Sequence, residues 1–187
     1  MVDPGEESER VITTLRELGS RCVAVLVTHG HLDHIGAVGA VARDLACPVY
    51  ASAGDAATLT HINDHLWPGV GPYVAHKPEG LLAPGEALDL VGISIAVLAT
   101  PGHHPDAVSM LLTGPEGDQL LISGDVVFAG SVGRTDLAGG DWPTLEKSIA
   151  LLIAQVGEDV PVLPGHGPRT TLRHERATNP FLAGLCK

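Results

Sequence analysis

Residues that can do metal chemistry crowd one short stretch, VTHGHLDHIGA at 27–37, which contains His29, His31, Asp33 and His34. In an extended segment leaving a strand, side chains two apart share a face. His29, His31 and Asp33 can therefore converge, Gly30 lets the backbone pass close by, and His34 points elsewhere. Imidazole and carboxylate are good ligands for Zn²⁺, Fe²⁺ or Mn²⁺, and two ligand sets facing different ways suit a pair of metals. A solvated polar turn is the alternative reading of such a cluster taken alone.

Three more candidates each follow an apolar run: His103 in LATPGHHPDAV, Asp125 in LLISGDVVF and His166 in PVLPGHGP. A single His or Asp in a glycine-rich loop is more often a turn residue. Strand ends on one side of a sheet would instead bring the three together. With the cluster they make seven ligands, as two metals need when a carboxylate and a hydroxide bridge them.

The elements that must position these residues follow from periodicity. ESERVITTLREL at 7–18 places Val11, Leu15 and Leu18 at helical spacing, with Gly19 as a stop. RCVAVLVT reads as a β-branched strand before the histidines, and IGAVGAVARDLA as one Ala-rich helix after them, ended by Pro48. VYAS is a brief strand, 54–66 is helical, and 67–86 is a loop-rich excursion. ISIAVLAT, AVSMLLT and QLLISGD are strands, TLEKSIALLIAQV a helix, VPVLP a strand and TTLRHERA a closing helix.

Composition excludes several classes of function. A chain of 187 residues fits a single domain, 1–187. Its net charge of −11 repels phosphate backbones, so nucleic acid is not expected as a partner. No apolar run approaches the roughly 18 residues of a membrane span, and the start MVDPGEESER is acidic where a secretory signal is basic then apolar. A cytoplasmic location is the expectation. Cys22, Cys47 and Cys186 are odd in number, far apart in sequence and outside any C-x-x-C pattern, which argues against a disulfide framework or a cysteine-built zinc site, so they read as small buried or surface thiols.

Taken together, THGHLDH, TPGH, SGD and GHG resemble, in order, the metal motifs of the metallo-β-lactamase fold superfamily. SGDVVFAGSVGRTDLAGGD and GHGPRTTLRHERATNPFL look like its small glyoxalase II-like hydrolases, and the resemblance runs from Asp3 to the C-terminus. It implies an α+β fold, a four-layer αββα sandwich with metals at one edge of the two sheets. It implies that His29, His31 and His103 hold one metal, that Asp33, His34 and His166 hold the other, and that Asp125 bridges. The two divalent ions expected are zinc, with iron or manganese as alternatives. The activity implied is hydrolysis of a small acyl thioester by a metal-bridging hydroxide, with Asp33 orienting it and shuttling its proton. Two other activities of the fold stay open: a persulfide dioxygenase with one iron, and a lactonase.

The Asp3-Pro4-Gly5 turn follows only Met1 and Val2, so the first sheet is expected to lack its opening strands and to present an unpaired edge. His104 and Asp106 stand where many relatives have Thr and Gly, and His104 reads as an exposed loop residue. His61, His65, His76 and His174 match no motif and read as surface or loop residues, while Arg134 and Asp136 read as an ion pair that anchors a loop.

Overall fold

A computed structural model describes residues 1–64 and 66–185; the expectations for His65 and Cys186 lie outside the described residues. The chain divides into two compact units, Met1–Ala83 and Pro84–Lys187.

The first unit is built on a parallel sheet of short strands, β1 (Val25–Leu26), β2 (Val49–Ala51) and β3 (Gly80–Leu81), in that order. Val2 forms a parallel bridge to Leu26 on the outer side of β1. Helix α1 (Ser8–Glu17) turns Val11, Ile12 and Leu15 inward. Its Leu18, expected on that face, is the C-cap and stays 69% exposed. Gly19 at φ 61° closes the end, where Ser20 donates its N–H to the Leu15 carbonyl. An ion pair from Arg16 to Asp44 (2.6 Å) ties α1 to the helix containing Asp44, and Val25, Ile35, Val38, Val41, Val49 and Leu59 form the core.

The helix expected over 35–46 begins only at Val38, as α3 (Val38–Leu45), and a break at 36–37 parts it from a short preceding helix, α2 (Leu32–Ile35). The Asp3-Pro4-Gly5 turn causes the break. The Ala37 N–H goes to the Gly5 carbonyl (2.5 Å) and the Gly5 N–H to the His34 carbonyl (3.1 Å), which takes two groups out of a continuous helical ladder. Helix α4 (Ala53–Thr60) is capped by Ser52, whose hydroxyl accepts from the Asp55 N–H.

The second unit carries a six-stranded sheet. Strands β4 (Ala87–Leu90), β5 (Ile93–Ala99), β6 (Val108–Thr113) and β7 (Gln119–Gly124) form an antiparallel meander; β4 gave no separate signal in the sequence. A small hairpin, β8 (Val127–Phe128) and β9 (Ser131–Val132), precedes helix α5 (Trp142–Gln155), and β10 (Pro161–Pro164) returns parallel to β7. β11 (Thr170–Thr171) pairs with β10 and leads into α6 (Leu172–Thr178). Asp141 caps α5 by accepting from the Thr144 N–H. Leu145, Ile149 and Leu152 are fully buried at helical spacing, each contributing about 2 kcal/mol on burial.

The RTTLRHERATNP segment earns its order from one buried carboxylate. Glu175 Oε2 accepts from the Gly130 N–H and the Asn179 side-chain amide, both at 2.8 Å, and Oε1 accepts from the Thr170 hydroxyl. This network ties α6 to the β8–β9 turn. Among the described residues no helix is long and apolar enough to cross a membrane.

Candidate metal centre

In the first unit, β1 delivers Val27 and Thr28 into the core and then His29, all fully buried. His31 caps α2 from an extended conformation, and Asp33 and His34 lie on its short turn. The His29 Nε2 lies 3.1 Å from the His31 Nδ1, and the His29 and His34 rings are 4.1 Å apart between centroids. The His34 Nε2 lies 3.8 Å from an Asp33 carboxylate oxygen, and that carboxylate is more than half exposed.

Asp3, read in the sequence only as part of a turn, decides the protonation of this group. Its Oδ1 accepts from the Thr28 N–H (2.8 Å), and its Oδ2 faces both the Thr28 hydroxyl (2.6 Å) and the His34 Nδ1 (2.9 Å). An ionised carboxylate only accepts, so the Thr28 hydroxyl and the His34 Nδ1–H both donate to it. The hydroxyl's one proton is then committed, and it can only accept from the Nδ1–H of His29, 3.0 Å away. In their neutral forms both rings then keep a lone pair on Nε2, the form a metal requires. Asp3 adopts a left-handed φ of 41°, a conformation tolerated by Asp and held here by these bonds.

In the second unit the three remaining candidates occupy strand ends on one side of one sheet. β5 and β7 flank β6 antiparallel to it, and so run the same way; β10 runs parallel to β7. His103 follows the end of β5, Asp125 the end of β7 and His166 the end of β10. His103 and Asp125 are buried, while the His166 side chain is 52% exposed and stands edge-on to Phe128. The Asp125 Oδ2 lies 3.3 Å from the His103 Nε2 and 3.5 Å from the His166 Nε2.

The loop holding His103 is clamped from both sides. The Pro101 carbonyl accepts from the Ser148 hydroxyl (2.6 Å) and the Gly102 carbonyl from the Asp141 N–H (2.7 Å). Gly102 has φ 132°, and a Cβ there would stand 2.3 Å from the Leu145 nitrogen, so only glycine lets the loop rest on α5. The His103 Nδ1 is 2.7 Å from the Arg134 carbonyl oxygen and must donate to it. Arg134 therefore acts through its backbone, while its guanidinium makes a bidentate, exposed pair with Asp136 (2.6 and 2.8 Å), the loop ion pair expected.

The electrostatics of this arrangement suit a cation. With Nδ1 donating to the Arg134 carbonyl, a neutral His103 has its Nε2 lone pair turned toward a carboxylate oxygen at 3.3 Å, the geometry of two ligands to one ion. An imidazole nitrogen and a carboxylate oxygen gathered in a buried place are a donor set that suits a cation.

His104 departs from expectation in being half-buried; its Nδ1 accepts from the Asp106 N–H at 3.4 Å. Burial lowers its pKa and the neighbouring Asp106 opposes the shift. His61 and His174 are exposed, and His76 is half-buried against Glu79 (3.2 Å). An open hollow of about 570 Å³ beside the histidine stretch is lined by Gly30, Leu32, Ala57, Thr58, His61, Ile62, Asp64 and Leu66.

The sequence model of the Metallo-beta-lactamase superfamily matches residues 1–171, and the chain belongs to that superfamily and has its α+β fold. This places it among the metallo-hydrolases, with His and Asp groups that take divalent metal ions. It is 32% identical to a Haemophilus influenzae protein named hydroxyacylglutathione hydrolase, over 97% of this chain and 86% of that one. Among solved structures, the BLEG-1 B3 metallo-beta-lactamase is 38% identical with a TM-score of 0.86, covering 98% of this chain and 88% of the other. A second, TTHA1623 in a di-iron-bound form, is 37% identical with a TM-score of 0.83, covering 97% and 88%.

Proposed function

We propose that the chain is a hydrolase of glyoxalase II type that cleaves a small acyl thioester at a centre of two divalent metal ions. His29, His31 and His103 would hold one ion, Asp33, His34 and His166 the other, and Asp125 would serve both. The observation that carries this reading is the gathering of His103 and His166 at 3.3 and 3.5 Å from the Asp125 carboxylate, on one side of one sheet. When bound, such ions polarise a carbonyl and bring the pKa of a water near neutrality.

The protein's own groups then have limited tasks. Asp3, Thr28 and the Arg134 carbonyl keep His29, His34 and His103 in the tautomer that binds. Asp33, the most exposed carboxylate of the set, orients the attacking water and takes its proton on a carboxylate oxygen. A thioester fits because its thiolate leaves unprotonated, so a single proton acceptor is enough. Leu32, Ala57, Ile62 and Leu66 offer apolar surface for an acyl group next to Gly30. The name of the Haemophilus influenzae relative supports the thioester class, and the di-iron neighbour makes iron an alternative to zinc.

Elemental analysis and a substrate panel test this together. The expected result is about two metal ions per chain and turnover of an acyl-glutathione thioester. Hydrolysis of a homoserine lactone or a β-lactam with the thioester left intact would overturn the substrate class. One iron, with oxygen consumed in the presence of a persulfide, would make the protein an oxidoreductase.

A further inference from the structure

Cys22 and Cys47 belong to no cysteine motif, yet the fold brings their sulfurs to 3.7 Å. Cys22 lies on irregular backbone between α1 and β1, partly exposed, with its thiol directed at the Ala24 carbonyl (3.3 Å). Cys47 follows Ala46, the left-handed C-cap of α3, and is buried in the core of the first unit. Burial, reinforced by the contact with Cys22, pushes the Cys47 thiol up to about 11. Cys22 is therefore the sulfur that an oxidant in solution reaches first.

We propose that Cys22 and Cys47 form a dithiol site that hydroperoxides oxidise to an internal disulfide. The Cys22 thiol ionises, its thiolate attacks one peroxide oxygen and the O–O bond breaks, leaving a sulfenic acid on Cys22; from hydrogen peroxide the leaving hydroxide takes up the proton released by the thiol and departs as water. The Cys47 sulfur then displaces the sulfenic hydroxyl; the S–S bond forms, and that hydroxyl leaves with the Cys47 proton as a second water. Two electrons pass from the cysteines to the peroxide. The sulfurs must approach by roughly 1.7 Å to reach bonding distance. Rotation of Cys22 about χ1 on its irregular segment supplies most of that movement, while Cys47 stays packed.

The position of the link gives it a consequence. It closes the loop 22–47, which contains His29, His31, Asp33 and His34 together with α2 and α3. Cross-linking that loop restricts the local opening through which those side chains would separate. This site stands apart from the thioester reading, since neither sulfur belongs to the assigned ligand set.

The test uses zinc-loaded protein carrying Cys186→Ser, treated with hydrogen peroxide, alkylated in denaturant and digested without reduction. The expected product is a Cys22–Cys47 linked peptide pair, two hydrogens lighter than the free peptides and released by dithiothreitol. Tm should rise by roughly 5–15 °C. Cys22→Ser should give neither the link nor the shift, and as a half-exposed position it serves even if Cys47→Ser fails to fold. Full alkylation of both cysteines after treatment, over-oxidation of Cys22 without a link, or links only between chains would each overturn the proposal.

Discussion

Replacing Asp3 should separate metal affinity from stability. Its two oxygens satisfy three donors: the Thr28 N–H, the Thr28 hydroxyl and the His34 Nδ1–H. Asp3→Ala leaves all three without this acceptor in a place where the aspartate itself is only 12% exposed. At about 1–3 kcal/mol per orphaned donor, with some relief from water, the loss is roughly 3–6 kcal/mol. Asp3→Asn keeps the volume but supplies one acceptor oxygen instead of two. If its NH₂ replaces Oδ2, donors face a donor at His34 and Thr28, the His34 proton is driven to Nε2, and the lone pair aimed at the metal is lost. If the amide is reversed, the Thr28 N–H is orphaned instead. Either way stability falls by only about 1–3 kcal/mol; in the first orientation metal affinity also falls about 10- to 100-fold, whereas the second keeps the His34 tautomer. Chelator competition well below the melting temperature, paired with thermal unfolding of the metal-free protein, measures the two effects separately. Asp44→Asn, which makes the same charge change at the exposed partner of Arg16, is the control and should leave both near parental values. If Asp3→Ala, which removes the His34 acceptor altogether, binds metal within about twofold of the parent, the tautomer argument is refuted and Asp3 serves only the turn.

Three further outcomes follow from the same geometry. Asp125→Ala and His166→Ala should abolish thioester turnover, whereas His104→Ala should cost no more than about 10- to 100-fold; equal losses in a kcat/KM comparison would refute the ligand assignment. Glu175→Ala should destabilise the protein by about 3–5 kcal/mol in urea unfolding, because the Gly130, Thr170 and Asn179 donors lose their acceptor, and Glu175→Gln should lose only about 1–3 kcal/mol. Gly102→Ala should destabilise by more than about 2 kcal/mol, since its φ is unfavourable for L side chains and its Cβ would strike the α5 backbone; an unchanged Tm would show that the loop does not rest there.

Much of the scaffold around the candidate centre was legible because its causes are local. The apolar, β-branched content of ISIAVLAT and QLLISGD marks β5 and β7, and the apolar runs before TPGH, SGD and PGHG place His103, Asp125 and His166 just past strand ends. Their common side of the sheet follows once strand directions are known, and those directions come from pairing. The break between α2 and α3 was not legible: IGAVGAVARDLA has helical composition throughout, and what divides it is a pair of backbone hydrogen bonds to Gly5. The half-burial of His104 likewise depends on how its loop folds back through Asp106.

The chain by itself determined the types of the chemical groups, their placement beside strands and helices, and the excess of acid over base. These are properties of neighbours along the backbone, set by periods of 2 and 3.6 residues and by turn chemistry. Only the tertiary structure decided that Asp3 sets the tautomers of His29 and His34, that the Arg134 carbonyl does the same for His103, that Glu175 holds the Gly130 turn, and that Cys22 meets Cys47. A hydrogen bond or a sulfur contact requires proximity within a few ångströms in space and none in sequence, so partners 25 to 45 positions apart leave no periodic trace until the sheets and helices bring them together.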